Sequence, residues 1–516
     1  MSENSVVIKY LKSLGYNPMT SYYANIDIWK SWFENFNKDF HEYHDQNGTK
    51  HEMYKLGMAK RLCEDWSSIL YTERDTIVCE NESNQEYLDK VLKELKFNEL
   101  LPDNIETAFW SGTVGTVLRV DEVKIQNGEL VPTEKSKYKL VSVDASQVIP
   151  LKVIDGKIVD VALISTSTIE SENVYYIEIH TLTKDGYKVE NKYINEKGEE
   201  RTNSGVLSSY TTGSEIPLFN LLEPKIVNNI ENNNGLGISV FANAIDQLKG
   251  VDIAYNNFVM DYYLGGKKVF YNKSLVRYEA KRYTDAETGE TIIEEIPIYP
   301  DDITKQQFMI VGDEAESIND KEYIHEFNPD LRETDNENGL NFALNLLAFK
   351  AGLGKSYYKF EGGSVATATQ VILDNRDLVG NAKKHRASVN DYAVGICRAI
   401  LLLGRLLFKQ DLDENDEINL IDKDGFLQSE EDQKQQYMEE IAGGLRSKTG
   451  YLMQFYGMSE EEALKELQLI QDEESGELFQ EEYEDEEEPD EEFTEDDMTD
   501  LDAMLSETEE MLGDEE

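Results

Sequence analysis

Beyond the first fifty residues, the spacing of apolar positions changes period several times, and each change predicts an element. In "TKHEMYKLGMAKRLCEDWSSILYTER" the apolar residues Met53, Leu56, Met58, Leu62, Trp66, Ile69 and Leu70 recur at helical spacing on one broad face. A second helix is expected near Tyr87–Leu101, with Pro102 preceding a third through "NIETAFWSGT". The period then drops to two. "GTVLRV", "KYKLVSVD", "QVIPLKVIDGKIVDVALIST", "VYYIEIHTLT" and "GYKVENKYIN" read as strands, with Asp155-Gly156 and Asp185-Gly186 as hairpin turns. The Asn-rich "VNNIENNNGLG" reads as a loop.

After that loop the helical period returns. Phe241, Ile245, Leu248, Val251, Tyr255, Phe258, Val259 and Tyr262 predict a long helix over Ser239–Leu264, with Ser239 as its cap and Gly265-Gly266 as its end. A β-rich module follows, with an acidic turn around Thr288-Gly289, and then a helix from about Thr334 to Ala351. Residues Val365 to Phe408 are almost wholly compatible with helix, with Gly380 and Gly395 as candidate kinks. A short strand in "EINLIDKDG" precedes two or three small helices. The fold class expected is α+β.

Charge alters this picture most at the end of the chain. Of 516 residues 50 are basic and 103 acidic, a formal net charge of −53. From Asp472 to Glu516 there are 25 acidic residues and no Lys or Arg, so this tail is expected to be disordered. Its end, "MTDLDAMLSETEEMLGDEE", reads equally as a solvated tail or as a short helix that forms on a partner. So acidic a surface does not wrap DNA by counterion release, though it can enclose DNA without gripping it. Cys63, Cys79 and Cys397 make no C-x-x-C pair and suggest a reducing compartment. The N-terminus has no signal-peptide pattern. The most apolar window, Ala393 to Phe408, is short and carries Arg398 and Arg405, which favours a buried helix over a membrane span.

Candidate chemistry is sparse. Gly354-Lys355-Ser356 matches the second half of a phosphate-binding loop, but Phe349 stands where the first glycine belongs and the preceding run has helical spacing. His41, His44 and His51 lack a fixed spacing with a fourth ligand and read as part of a polar loop. Asp422, Asp424, Gly425 and Glu431 outline a calcium loop whose first place is Leu420, which cannot ligate. No catalytic residue, metal site or cofactor is expected, and the chain does not read as an enzyme.

The arrangement is more telling than any motif. Two helices that leave a body and re-enter it through a β-tip build a projecting stalk, whose apolar faces neighbouring copies would cover in a ring. In this order the chain resembles the portal proteins of tailed bacteriophages, in the branch common in phages of Gram-positive bacteria. The matching segments are "KLGMAKRLCEDWSSILYTE", "GLGISVFANAIDQLKGVDIAYNNF", "LAFKAGLGKSYYKFEGGSVATATQVILDN" and "IAGGLRSKTGYLMQFYGMSEEEALKELQLIQDE", which lie in order across most of residues 50–474. The acidic tail falls outside the match.

The resemblance implies an α+β wing at 1–235, a stem of helices 239–264 and 334–351, and a β-rich clip at 265–332. It further implies a tunnel loop at 352–364, a long kinked wing helix at 365–409 and a helical crown at 410–471, followed by the tail at 472–516. It implies a ring of about twelve subunits at one capsid vertex of the virion, assembled in the host cytoplasm, through which double-stranded DNA is packaged and ejected without sequence-specific binding. Partners implied are the large terminase subunit, the head–tail adaptor, and the major capsid and scaffolding proteins; no membrane is involved. Lys355 and Lys359 would face passing phosphates, and Tyr357, Tyr358 or Phe360 would pack against neighbouring loops, with Gly362 and Gly363 allowing movement. The same aromatics read equally as core and the lysines as solvated. The clip tip, Asp285, Ala286, Glu287, Thr288, Gly289 and Glu290, would meet adaptor and terminase. Two rival readings are an acidic scaffold or adaptor acting through its tail, and a P-loop ATPase.

Overall fold

A computed structural model describes residues 4–18, 22–71, 76–126, 129–169, 171–203, 205–231, 234–272, 275, 277–284, 291–298, 308–311, 324–358, 376–421 and 430–475. The chain divides into two compact units, Met1–Leu427 and Gln428–Glu516.

The first unit opens with α1 (Asn4–Ser13), α2 (Tyr23–Phe33), the single turn α3 (Lys38–His41) and a hairpin of β1 (Glu42–His44) and β2 (Lys50–Glu52). The polar histidine segment, expected as a loop, is therefore this hairpin. Helix α4 is confined to Met58–Leu70; Gly57, left-handed at φ 73°, stands before it, so Met53 and Leu56 lie outside. Strand β3 (Thr76–Cys79) leads to α5 (Glu82–Glu94), whose N-terminus is capped by the Asn81 side chain accepting from the amides of Ser83 and Asn84. The break before α6 (Phe97–Ser111) falls at left-handed Lys96 rather than at Pro102, which sits inside the helix. There the proline removes one helical hydrogen bond, and its own carbonyl gains one from the Ser67 hydroxyl.

The alternating segments form strands as expected. β4 (Val114–Asp121) lies between β14 (Phe219–Leu222) and β7 (Lys137–Asp144). The minor pair β5 (Lys124–Gln126) and β6 (Glu129–Val131) falls between them in sequence. The larger antiparallel sheet runs β12 (Glu200–Arg201), β11 (Gly186–Asn195), β10 (Glu172–Thr183), β9 (Lys157–Ile169), β8 (Val148–Ile154), with β13 (Ser209–Thr211) also on β11. Asp155 and Gly156 both take positive φ, 52° and 77°, as a two-residue turn matching the sheet's twist requires. The second turn is shifted by one: Thr183 pairs with Gly186, so Lys184-Asp185 turn the chain and Gly186 takes the left-handed position after them. Helix α1 covers one face of this sheet, placing Val7 and Leu11 against Ile149, Ala162, Ile164, Ile177, Ile179 and Ile194.

Helix α7 (Ile245–Leu264) leaves the body, followed by β15 (Lys268–Asn272), β16 (Tyr278–Thr284), β17 (Thr291–Pro297), β18 (Phe308–Val311) and β19 (Ile324–Phe327). β15 pairs with β18 and β19, and β16 with β17. Helix α8 (Glu333–Lys350) returns, and α9 (Arg376–Leu406) runs unbroken through the body for 31 residues. Neither Gly380 nor Gly395 interrupts it; at Gly395 the missing side chain makes room for Asn220, whose amide would stand against any Cβ. By length and composition α9 passes for a membrane span, yet Tyr392, Ala393, Ile396, Cys397, Ile400, Leu401 and Leu402 are buried in the main core. The Tyr392 hydroxyl, 2.8 Å from Asn104 Nδ2 and 2.6 Å from Thr116 Oγ1, ties α9 to α6 and β4. Strand β20 (Ile418–Ile421) pairs with β3, so residues 410–421 stay with the first unit and the division comes after Leu427. The fold is mixed α+β.

The second unit contains α10 (Glu430–Ala442), α11 (Lys448–Tyr456) and α12 (Glu460–Ser475). Tyr437 is its buried centre, edge-on to Tyr451 and Phe455 with the Arg446 guanidinium over its ring. The tail from 476 to 516 lies outside the described residues.

Candidate functional site

The stalk is built from α7 and α8, antiparallel partners about 30 Å and 27 Å long at 1.5 Å per residue. Their inner halves belong to the main core: Leu248 and Val251 of α7 and Leu344, Leu347 and Ala348 of α8 are buried. Beyond Asp252 on α7, and before Leu344 on α8, no residue is buried. The pair therefore leaves the body with its outer half covered by itself alone.

Each end is fixed by a charged group. At the base Asp252 is 4% exposed and would be costly there without partners. Its Oδ1 accepts the Leu56 amide at 2.8 Å, and its Oδ2 lies 3.0 Å from Nε2 of buried His41. His41 Nδ1 accepts the Asn37 amide, which leaves Nε2 as the protonated nitrogen donating to Asp252. The inner half of α7 is thus latched to α3 and to the segment just before α4. At the far end Asp261 accepts from Arg332 Nε at 3.1 Å and Asn336 Nδ2 at 2.7 Å; Arg332 first, then Asn336, holds its carboxyl below the usual range. This clasp closes the two helices where the β-module begins. Sequence reasoning missed both, although Asp252 gave a signal: a lone carboxylate on the apolar face of a helix.

Helix α7 starts later than expected. Ser239 is buried and donates to the Phe109 carbonyl, while Val240 N–H donates to that same carbonyl and Gly237 N–H to Thr113 Oγ1. These bonds tie 237–240 to the end of α6, so the chain turns once more, over Ala242–Ala244, before Ile245.

The outer faces of the stalk are apolar and uncovered. On α8, Phe342, Leu346 and Phe349 recur at i, i+4 and i+7, with exposures of 66%, 43% and 50%. On α7, Ile253 and Leu264 are 45% and 51% exposed, and Tyr255, Phe258 and Tyr262 form a ladder of ring contacts. Such a stripe on a helix pair signals a partner surface.

At the stalk's base, Ala351–Tyr358 leads away from α8. Gly352 and Gly354 adopt φ of 83° and 93°, which only glycine takes without strain. Trp66 Nε1 donates to the Ala351 carbonyl at 3.2 Å, and Asn381 Nδ2 to that of Gly352 at 3.1 Å. Tyr358 donates to Asp65 Oδ2 at 2.6 Å, and Asp65 also pairs with Arg61 at 2.8 Å. Burial, and then the Asp65 carboxylate, push the Tyr358 hydroxyl far above its ordinary range. Tyr357 stands edge-on to Tyr358 and packs with it on the main core. These two tyrosines therefore anchor the loop to α4 of their own chain. Lys355 is exposed. Lys359, Phe360, Gly362 and Gly363 lie outside the described residues, as do Asp285, Ala286, Glu287, Thr288, Gly289 and Glu290 of the tip. Gly354-Lys355-Ser356 follows helix α8, where a phosphate-binding loop requires a strand. His44 and His51 sit on the β1–β2 hairpin, His51 beside Asp45. Asp422, Asp424 and Gly425 also lie outside the described residues.

No family model matches the chain, and no curated protein does. Among solved structures it is similar to a chain of the neck of a native GTA particle computed with C12 symmetry. The TM-score is 0.41 and the identity 9%, over 87% of this chain and 98% of that one. A likeness that distant leaves fold and role to be argued from this chain's own residues.

Proposed function

We propose that this chain is a portal protein: copies of it form a ring at one capsid vertex and act as the channel through which DNA enters and leaves. The observation that carries the reading is the stalk, a helix pair latched at Asp252 and clasped at Asp261 whose stripe of Phe342, Leu346 and Phe349 lies in solvent. In a ring each stalk lies beside the next, and the stripe is covered without any further partner. The sequence resemblance set out above supplies the identity of the ring and a number of about twelve.

In this reading α7 and α8 are the stem, the β15–β19 module the clip, the body with α9 the wing, and the unit beginning at Gln428 the crown. The clip tip at 285–290 contacts the large terminase subunit during packaging and the head–tail adaptor afterwards. The ring assembles with the major capsid and scaffolding proteins in the host cytoplasm and remains in the virion. A chain of net charge −53 suits a conduit, because duplex DNA sliding past an acidic wall is repelled more than held. ATP hydrolysis belongs to the terminase, and this chain needs no catalytic group.

The test is the chain's location in assembled particles. Particles containing a tagged copy are imaged without imposed icosahedral symmetry. Density for the tag at a single vertex is expected; tag spread over every vertex, or absent from finished particles, overturns the proposal.

A further inference from the structure

The stretch from Lys350 to Arg386 reverses the charge of the chain: it holds seven Lys and Arg against three Asp and Glu. Within it, the end of α8, the glycine turn and the first three turns of α9 line a cleft of about 300 Å³. Its lining includes Phe349, Gly352, Gly354, Arg376, Gly380 and Lys384. Arg376, Gly380 and Lys384 are spaced at i, i+4 and i+8, so they share one face of α9. Gly380 has open space where a side chain would stand, which leaves the middle of that face hollow between the two cations. The remaining charge on the lining is Asp377, and Asn381 is occupied in bonding the Gly352 carbonyl.

Acidic residues outnumber basic ones two to one, and many described Lys and Arg, such as Lys60, Arg119, Arg201 and Arg405, are paired with carboxylates. Arg376 and Lys384 make no ion pair among the described residues, and both are exposed at the cleft. Eight positions apart on a helix, their Cα atoms stand about 12 Å apart, and both long side chains can reach an anion seated over Gly380. An arginine fork and a lysine point charge beside a glycine-lined backbone are suited to the tetrahedral oxygens of a phosphate.

We propose that this cleft is a phosphate-binding site, with Arg376 and Lys384 as its charged contacts and Gly380 as the gap that admits the group. The phosphate comes from the backbone of duplex DNA or from free phosphate. The first source rests on the channel reading above; the second does not.

The site can be read directly by amine acetylation followed by mass spectrometry on the full chain. Lys384 is probed with Lys192, on β11, as the internal control, in the presence of inorganic phosphate or of a 20-base-pair duplex. A severalfold fall in Lys384 labelling with either probe, absent at Lys192 and abolished by Arg376→Ala, is the expected result. Protection by the duplex and by phosphate supports the site and assigns it to DNA. Protection by phosphate alone supports the site and assigns it to the free anion, without bearing on whether the chain forms rings. If the duplex binds, its salt dependence should flatten by about 1.8 in log K against log salt in Arg376→Ala/Lys384→Ala, the release expected for two phosphate contacts. Unchanged Lys384 labelling with both probes overturns the proposal. Gly380→Glu gives a second readout: the carboxylate fills the gap, and protection should be lost while the helix stays intact.

Discussion

Replacing Phe342 by serine should separate assembly from folding. Phe342 lies on the outer face of α8 at 66% exposure, opposite the buried Leu344, Leu347 and Ala348. Taking about 200 Å² for a phenylalanine, about 130 Å² of it is in water in the single chain. At about 25 cal/mol per Å², covering that surface in a ring contributes up to about 3 kcal/mol per interface, or about two powers of ten in association. Little of the residue is buried within the chain, so Phe342→Ser should move the melting temperature of the unassembled protein by no more than a typical surface change, about 0.5 kcal/mol. Sedimentation velocity over a hundredfold range of protein concentration, run beside thermal melts, reads both quantities. A variant that assembles at the same concentration as the parent, or that loses its fold along with its assembly, would show that Phe342 does not lie in a ring interface.

Four further outcomes follow from single positions. Gly380→Ala should stabilise the chain by about 0.5–1 kcal/mol, since glycine is costly inside a helix and the added methyl meets nothing. Gly237→Ala should destabilise by more than about 2 kcal/mol, because the new Cβ would fall 2.3 Å from the Gly112 carbonyl oxygen; urea unfolding distinguishes the two signs. Tyr358→Phe leaves the Asp65 carboxylate short of one charged hydrogen bond, worth about 1.5–3 kcal/mol, and limited proteolysis at 352–358 should quicken. Burial, with Lys384 adding to it, lowers the His385 pKa to about 4 from an ordinary 6.5. Between those values the unfolded chain takes up a proton that the folded chain refuses, so stability falls as pH drops from 6.5 to 4, by about 3 kcal/mol in all. His385→Asn should flatten that slope in denaturant titrations; a slope unchanged by the substitution would mean other groups set it.

How far the sequence could be read depended on whether an element is decided locally. The strands of the large sheet announce themselves by alternation, and Asp155-Gly156 carries its own turn chemistry. The stalk helices were legible because their inner faces repeat at three and four. Only the start of the first was not, because tertiary bonds set it. Ser239 has the chemistry of a cap, but its hydroxyl is used on the Phe109 carbonyl, 130 positions away. Pro102 looks like a helix boundary, yet Lys96, in a left-handed conformation nothing in its residue type demands, is where the chain breaks. β20 is a strand either way, but its partner β3 lies more than 330 residues upstream, and only that pairing assigns it to the first unit. The site divides similarly. Lys355 and the glycines were visible as a loop, whereas the union of Arg376 and Lys384 with Gly352 needed the glycine turn after α8 to meet α9. That Tyr358 binds Asp65 was beyond any local pattern.

The central claim, that copies of this chain close into a ring around a channel, is tested most directly by single-particle electron microscopy of the purified protein. Closed rings of about twelve subunits are expected, near 709 kDa for twelve copies of 59.1 kDa, with stalks side by side and an opening wide enough for duplex DNA. Only monomers with free stalks, or a closed dimer with no opening, after expression with the capsid and scaffolding proteins would mean that the chain does not form a ring.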